Sequence, residues 1–352
     1  MKINNNLLLG LICLFAAVSL SAQDRTYTVM FYNVENLFDV YNDPNVRDDE
    51  FTPEGPKEWT ETKYWKKIAN TAEVLHAIAQ ANRQFPAIIG LSEIENRLVL
   101  DDLVSDERLA SANYQIVHYD SPEARGVDVA LLYRPDLFEY EWSDPIRTRI
   151  PSRPDFKTRD ILAVCGRIEG ELFCFFVNHW SSRRGGAQSS EYLRCGGAQT
   201  VRDYADSLRQ VHPEIKLVVM GDMNDDPVDK SILEVLGGAG DPENIPEGGM
   251  FNPFYALFQD GYGTLAYQDA WSLYDNIVVS DNLMNLDQEG SLRLMPVKLR
   301  RQTYYASIFK RSFLIQQKGQ YKNYPWRTYS GNAFLGGYSD HLPVFITIGK
   351  EK

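Results

Sequence analysis

Hydrophobic and polar positions follow two different periods along this chain. From Thr26 to Tyr32, β-branched and aromatic residues alternate, which predicts a first strand, and the stretch from Asn33 to Phe38 predicts a loop after it. Between Thr60 and Ala81, apolar residues recur at helical spacing, which predicts an amphipathic helix with Thr60 as N-cap. A second helix is predicted from about Ser190 to Arg209.

Short apolar runs predict the remaining strands. They lie at 87–91, 115–119, 127–133, 161–168, 172–178, 217–220, 276–279 and 342–347. Gly237 to Gly249 is rich in Gly and Pro, and because strand patterns resume after it, we interpret it as a surface excursion and not as a domain boundary. Many strands with a few long helices between them indicate an α/β or α+β sandwich.

The N-terminus has the layout of a secretory signal peptide. One lysine precedes an apolar segment from Leu7 to Leu20, and small residues follow it before Gln23. We therefore expect a signal peptide at 1–22, cleavage after Ala22, and a periplasmic or secreted protein. The alternative is an uncleaved anchor, although the apolar segment is shorter than the roughly 20 residues of a spanning helix.

The cysteines pose a question that the sequence leaves open. Cys165 and Cys174 lie symmetrically about Glu169 and Gly170, so a two-residue hairpin turn would place them directly across two strands. A disulfide would persist in an oxidising compartment, and a pair of small buried hydrophobic residues is the equal alternative. With Cys195 the predicted mature chain holds an odd number of cysteines, so one thiol is left over.

The net charge of −12, from 36 Lys and Arg against 48 Asp and Glu, argues against a protein that coats nucleic acid through a generally basic surface. One segment differs, because Ser291 to Ser339 contains no Asp or Glu and interleaves basic with aromatic residues. Such a segment suits a phosphate-bearing ligand. The alternative is an ordinary solvated surface that balances an acidic remainder.

Three carboxylates mark a candidate metal site. Glu93 and Asp222 each follow an apolar strand, and Asp340 precedes one. Burial of such groups without a partner is costly, and a shared cation would compensate for it. Mg²⁺ prefers carboxylate, amide and water oxygens, whereas the chain lacks the short His and Cys spacing typical of zinc. Each Asp alone would be interpreted as a turn or cap residue, so only their joint occurrence indicates a metal.

Two of the five histidines have a comparable setting. His179 ends an apolar strand, and His341 directly follows Asp340. A histidine beside a carboxylate can act as an acid or base, or polarise a phosphoryl oxygen. His76, on a predicted helix, and His212, in a loop, are interpreted as structural.

Six segments together resemble the endonuclease/exonuclease/phosphatase superfamily, whose members include pancreatic deoxyribonuclease, abasic-site endonucleases, bacterial sphingomyelinases and inositol-polyphosphate 5-phosphatases. In the family's order, they are Phe31 to Phe38, Ser92 to Asn96, Arg125 to Ala130, Asn178 to Trp180, Gly221 to Asn224 and Ser339 to His341. The resemblance implies a single domain over 23–352. It also implies a four-layered α/β sandwich, in which two mixed β-sheets pack together with helices on both outer faces.

The resemblance also implies roles for individual residues. Asn33 and Glu93 are similar to the family's metal-site residues, with Glu93 as the direct Mg²⁺ ligand, and Asp340 is also placed near the metal. Asp222 matches the residue that orients or deprotonates the attacking water, and Asn224 the residue that steadies the phosphoryl group.

Three further residues complete the implied site. His341 resembles the histidine that contacts the scissile phosphate, and Asp275 the carboxylate that orients it. The Asn276 that follows Asp275 departs from the aromatic residue or Gln that is frequent in relatives, which weakens that second assignment. His179 matches the second histidine of the deoxyribonuclease and sphingomyelinase branches, a candidate general acid for the leaving oxygen.

Three arginines are candidate phosphate ligands, because a guanidinium presents a planar fork of donors. They are Arg125, Arg183 and Arg184. For Arg183 and Arg184 an exposed flexible loop is the equal alternative.

The expected function is therefore an exported Mg²⁺-dependent phosphodiesterase, with nucleic acid as the leading substrate. Mn²⁺ is the expected substitute ion and Ca²⁺ an auxiliary one. The alternatives are a lipid or small-molecule phosphoesterase of the sphingomyelinase or inositol-phosphatase type, and a binding module that keeps the fold without catalysis. No stable protein partner is implied.

Overall fold

The computed structural model describes residues 25–285 and 290–350, so the predicted signal peptide lies outside the described residues. The strands within these ranges are β1 Thr26–Leu37, β2 Ile88–Ile94, β3 Gln115–His118, β4 Asp128–Tyr133, β5 Glu139–Ile146, β6 Ile161–Ile168, β7 Glu171–His179, β8 Lys216–Asp222, β9 Gly238–Ala239, β10 Met250–Phe251, β11 Leu265–Tyr267, β12 Ala270–Ser272, β13 Asp275–Ser280, β14 Arg293–Leu294, β15 Val297–Leu299, β16 Gln302–Tyr304, β17 Ser307–Ile308, β18 Tyr329–Ser330, β19 Ala333–Phe334 and β20 Val344–Gly349.

The helices are fewer than the strands. They are α1 Glu61–Asn82, α2 Arg97–Ser105, α3 Ala187–Val211 and α4 Phe254–Gln259, with a π-helical turn at Ser231–Leu236 and short 3-10 turns at Asp49–Phe51, Ala110–Ala112, Asp281–Leu283 and Ser312–Leu314. Across the part of the chain that the structure describes, none of the helices combines the length and the apolar character needed to cross a bilayer.

Two seven-stranded sheets form the centre of the protein. The first runs in the order β14, β20, β1, β2, β4, β3, with β17 also on β20, and the second in the order β5, β6, β7, β8, β13, β10, β9. Strands β1 and β2 are parallel, as are β7 and β8, whereas β20 and β13 run antiparallel to their neighbours β1 and β8. Both sheets are therefore mixed.

Alternation of side chains along the strands produces three apolar cores. In β1, Val29 and Phe31 belong to the core between the sheets, whereas Met30 and Tyr32 belong to the core that includes buried residues of α1. On the second sheet, α3 contributes Val201 to a third core. Helices thus cover the outer face of each sheet, which confirms the four-layered sandwich.

The predicted elements agree with the structure except where polar residues interrupt the pattern. The predicted loop from Asn33 to Phe38 is wrong, because β1 continues to Leu37. The strand continues irregularly, with a shift in its pairing to β2 between Asn33 and Leu37 and left-handed backbone at Glu35 and Asn36. The polar residues of this stretch therefore mark a bulge and not the end of the strand.

The hairpin predicted around Glu169 and Gly170 is present, and it resolves the cysteine question. Both turn residues have positive φ, at 49° and 81°, and Cys165 pairs with Cys174 in the β6–β7 register. The structure joins these two residues by a disulfide, and Cys195 is a free thiol.

Loss of this disulfide is expected to lower the free energy of unfolding by about 2–3 kcal/mol, because the cross-link restricts the unfolded chain. Urea denaturation of the Cys165→Ala/Cys174→Ala variant against the oxidised protein measures the effect. Cys195→Ala serves as the control and should leave the unfolding midpoint unchanged. Equal midpoints for the oxidised protein and the double variant would contradict a stabilising role for the bridge.

Candidate active site

The predicted site residues of the second sheet form one row across three strands. His179 at the end of β7 lies opposite Asp222 at the end of β8, and Asp222 lies opposite Asp275 at the start of β13. His341 lies just before β20, which belongs to the first sheet. The row and His341 meet because the two sheets pack face to face.

Two bulges direct the residues contributed by the first sheet. The bulge after Asn33 in β1 lies beside a second one at Glu93 in β2, where the pairing with β4 shifts between Ser92 and Ile94. Glu93 itself has a φ of 62°, a left-handed conformation that is uncommon for a residue with a side chain. Such bulges re-aim side chains beside active sites, and here they turn Asn33 and Glu93 toward each other. The Asn33 amide nitrogen lies 3.4 Å from Glu93 Oε1.

Asp222 occupies the centre of the site and is 2% exposed. Its Oδ2 accepts a hydrogen bond from Asn33 Nδ2 at 3.0 Å and lies 3.7 Å from Nε2 of both His179 and His341. Its Oδ1 accepts a hydrogen bond from the backbone N–H of Asn224 at 2.9 Å. Burial raises the pKa of the Asp222 carboxyl to about 6, although the nearby His341 opposes that shift. At neutral pH the group is therefore ionised but still basic enough to accept a proton.

His341 and Asp275 form a buried acid–base pair. Nδ1 of His341 donates to Asp275 Oδ2 at 2.7 Å, and Asp275 is completely buried. Burial by itself lowers the pKa of His341, but the carboxylates of Asp275 and Asp222 outweigh it and raise the pKa well above the ordinary value. The imidazole is therefore cationic at neutral pH, with Nε2 directed toward Asp222.

His179 has the opposite character. Burial, followed by the positive charges of Arg159 and Arg125, lowers its pKa well below the ordinary value, so the imidazole is neutral. Its Nε2 lies 3.9 Å from Glu93 Oε1, and its buried Nδ1 has no hydrogen-bond partner. A neutral ring can donate one hydrogen bond to a substrate oxygen, but it carries no additional proton to transfer.

Glu93 and Asp222 fit a divalent cation. Among the described residues no lysine or arginine forms an ion pair with either carboxylate, and the neighbouring imidazole of His179 is neutral. Asp222 is buried and already has the cationic His341 at 3.7 Å, whereas Glu93 is only partly buried and has no cationic side chain paired with it in the described part of the chain. A divalent ion would supply the positive partner that Glu93 lacks. The amide nitrogen of Asn33 faces them, while its oxygen accepts from the Glu35 N–H at 2.9 Å, so Asn33 orients the carboxylates here.

A different group also has ligand atoms close together. Asp222, Asp275 and His341 bring theirs within 4.8 Å of one another. Because Nδ1 of His341 already bonds to Asp275, we interpret this trio as the acid–base pair beside Asp222 and not as the metal site.

Asp340 is held by a network that the sequence did not indicate. Its Oδ2 accepts from Arg327 Nη2 at 2.6 Å, and Arg327 Nε lies 3.6 Å from Glu35 Oε1. Glu35 also accepts from the Thr328 N–H at 2.6 Å. The buried Lys67 donates to Thr328 Oγ1, likewise at 2.6 Å. Asp340 thus has a cationic partner from this chain, and only its Oδ1, 4.0 Å from His341 Nε2, faces the centre.

The three predicted phosphate arginines have different surroundings. Arg183 Nη2 bonds to Asp225 at 3.0 Å, also pairs with Asp229, and its guanidinium stacks over the Tyr274 ring at 4.7 Å, so its donors serve this chain. Arg184 is exposed. Arg125 Nε bonds to Glu123 at 3.2 Å. Their contact with phosphate remains a prediction.

A fourth arginine was missed by the sequence reasoning. Arg159 is 8% exposed, and its guanidinium donates to the carbonyl oxygens of His179 at 3.0 Å and Trp180 at 2.7 Å. Asn224 Nδ2 bonds to the same Trp180 carbonyl at 3.0 Å, with the Asn224 backbone at a φ of 50°. The signal for Arg159 in the sequence was weak, because it follows an exposed loop and its partners are backbone atoms from another strand.

His179, His341 and Asp275 surround Asp222, and Glu93 and Asp222 together suit a divalent ion. On a four-layered sandwich, these groups define a metal-dependent hydrolase site. The chain belongs to the endonuclease/exonuclease/phosphatase family, whose model matches residues 28–350. It is therefore a metal-dependent phosphoester hydrolase. A sequence comparison with curated proteins gave no match.

Solved structures with the same fold share little sequence with this chain. Danio rerio TDP2 in complex with a single-strand DNA product is 13% identical, with a TM-score of 0.54, over 92% of this chain and 99% of that one. A Bacteroides thetaiotaomicron mannosyl-6-phosphatase is 16% identical, with a TM-score of 0.52, over 92% and 98%. The human nocturnin catalytic domain is 16% identical, with a TM-score of 0.51, over 94% and 97%. At these identities the likeness concerns the fold.

Proposed function

We propose that this protein is an exported Mg²⁺-dependent phosphodiesterase that acts on nucleic acid. The observation that carries the proposal is the placement of a neutral and a cationic imidazole at equal distances, 3.7 Å, from the Asp222 carboxylate. A diester needs a base for water and hydrogen-bond donors for both the non-bridging and the leaving oxygen. This site offers all three from its own side chains.

In this proposal each side chain has one task. Asp222 accepts the proton of the attacking water, and the imidazolium of His341, held by Asp275, donates from Nε2 to a non-bridging oxygen of the phosphate. The neutral ring of His179 donates a hydrogen bond to the leaving oxygen, which departs as an alkoxide and takes its proton from solvent water, and Asp222 returns its proton to the solvent. Mg²⁺, when bound by Glu93 and its neighbours, supplies positive charge that stabilises the phosphate oxygens in the transition state.

A diester is favoured because its hydrolysis uses both imidazoles, and nucleic acid is the proposed diester because solved structures with this fold include a TDP2 bound to a single-strand DNA product. Export rests on the signal-peptide pattern of residues 1–22, and the mass of the mature chain tests cleavage after Ala22.

A hydrolysis panel tests the reaction and the substrate together. It contains single-stranded DNA, duplex DNA, RNA, sphingomyelin, inositol phosphates and bis-4-nitrophenyl phosphate, each with Mg²⁺ and with a chelator. We expect turnover of nucleic acid that the chelator abolishes and Mg²⁺ restores. Glu93→Gln, purified in the same way, is the control for contaminating nucleases, because it removes only the charge of the proposed ligand. Activity that survives the chelator would contradict the proposal. Turnover of sphingomyelin or inositol phosphates alone would show that the substrate is not nucleic acid.

A further inference from the structure

A cavity of about 380 Å³ lies directly beside the catalytic centre. One wall is the turn from Ala266 to Asp269, the other is the segment 320–327, and Asp340 lines it as well. Its size is within the range of roughly 300–1,000 Å³ typical of small-molecule sites. The reaction proposed above uses none of its aromatic residues.

The two walls are joined to each other. Gln268 and Asp269 both adopt left-handed backbone, at φ of 48° and 63°, and form the tight turn between β11 and β12. Across the cavity, the Tyr324 hydroxyl accepts from the Asp269 N–H at 2.6 Å and donates to Asp269 Oδ1 at 2.7 Å. The turn is therefore fixed at a defined distance from the opposite segment.

The same hairpin is joined to the catalytic histidine. Leu265 forms a β-bridge with His341, and the Leu342 N–H bonds to the Thr264 carbonyl at 2.9 Å. Asp340, next to His341 in the sequence, lines the cavity with its partner Arg327. A ligand group in the cavity would therefore be adjacent to a phosphate held by His341.

The chemistry of the walls favours a flat, uncharged ring. Tyr267 is 69% exposed, and the rings of Tyr321 and Tyr324 lie 5.9 Å apart on the opposite wall. Of the described residues that line the cavity, Arg327 is the cation, and Asp340 already pairs with it, so a second phosphate finds no free positive charge. The polar Gln268 and Asp269 also make the cavity unsuited to a lipid chain.

We propose that this cavity holds one unpaired nucleobase of the substrate, stacked on Tyr267, next to the phosphate that is hydrolysed. The inference rests on the proposed function and adds the form of the nucleic acid. A base can enter the cavity only when it is outside a duplex, so single strands and frayed ends are the preferred substrates. Stacking on an aromatic side chain tolerates any base, so the subsite gives little sequence preference.

Chromogenic diesters that share one leaving group test the subsite. Methyl 4-nitrophenyl phosphate lacks a base, whereas the 5′- and 3′-(4-nitrophenyl) phosphates of thymidine carry one on either side of the phosphate. We expect a higher kcat/KM for at least one thymidine ester than for the methyl ester. Tyr267→Ala should reduce this ratio by at least about fivefold, which corresponds to the lower end of measured base-stacking contributions. It should leave turnover of the methyl ester unchanged.

Two further variants make the result specific. Tyr267→Phe keeps the ring and should keep the ratio. Tyr140→Ala removes another exposed tyrosine, on the edge strand β5 of the second sheet and outside the lining of the cavity, and should have no effect. If all diesters react and the ratio is the same in Tyr267→Ala as in the original protein, the nucleobase subsite is disproved while the proposed function stands. If none of the diesters reacts, the proposed function fails and the subsite with it.

Discussion

Asp222→Asn is expected to lower kcat for a phosphodiester by roughly 10³-fold, the scale of a lost general base. The change keeps the size of the side chain and its acceptor for the Asn224 N–H. It removes the negative charge from the group that lies 3.7 Å from both imidazoles. Because the carboxyl has a pKa of about 6, it is ionised at neutral pH in the folded protein and can accept a proton from water. KM should change much less than kcat.

The stability of the same variant separates a catalytic from a structural role. The folded-state pKa of Asp222 is raised from 3.8 to about 6, so its contribution to folding is present below pH 4 and is lost as the pH rises through 6. An Asn side chain does not ionise, so the variant does not lose stability in this way as the pH rises. In a chelating buffer at pH 8, Asp222→Asn should therefore unfold at a urea concentration at least equal to that of the original protein. A variant that is inactive and also strongly destabilised at this pH would show that Asp222 serves the fold first.

Elements with a continuous apolar pattern could be predicted from the sequence, and those defined by neighbouring strands could not. Strand β6 matches its predicted bounds of 161–168, because all but one of its residues are buried. Strand β5 has a largely exposed, polar sequence with Pro145 and was not predicted, since its pairing with β6 depends on that strand and not on its own pattern. Helix α2 was likewise not predicted, although Asn96 caps it at the Val99 N–H.

The candidate site was predictable to the extent that its residues follow strands. His179, Asp222 and Asp275 come together because each stands at a strand end, a position visible in the sequence. The residues that hold Asp340 in place could not be predicted from the sequence. Glu35 lies inside a bulge and contacts Arg327, which stands 292 positions later in the sequence. Only the packing of the two segments reveals this pair. Burial raises the pKa of the Glu35 carboxyl to about 7, and the negative charge of Asp340 contributes to this rise.

Asp275→Asn is expected to lower kcat by roughly 10²-fold without a change in the position of His341, because the amide oxygen can still accept from Nδ1. What is lost is the negative charge that, with Asp222, raises the pKa of His341 against the effect of burial. Its imidazole should therefore become neutral near neutral pH, and a neutral ring stabilises a charged phosphate oxygen less well. Nitrogen NMR of the His341 ring, in chelating buffer, measures the change in pKa directly.

Unfolding at two pH values gives an independent check of that charge. A histidine with a raised folded-state pKa stabilises the fold below its unfolded value of about 6.5, and the contribution disappears as the pH rises through the folded value. In chelating buffer, Asp275→Asn should thus be less stable than the original protein at pH 6, and this deficit should shrink or reverse at pH 9. The control is Asp281→Asn, which removes a carboxylate just past the far end of β13 that pairs with Arg209, and it should show no such dependence on the state of His341. A deficit that is the same at both pH values, together with an unchanged His341 pKa, would mean that Asp275 acts through packing alone and that the cationic imidazole has another origin.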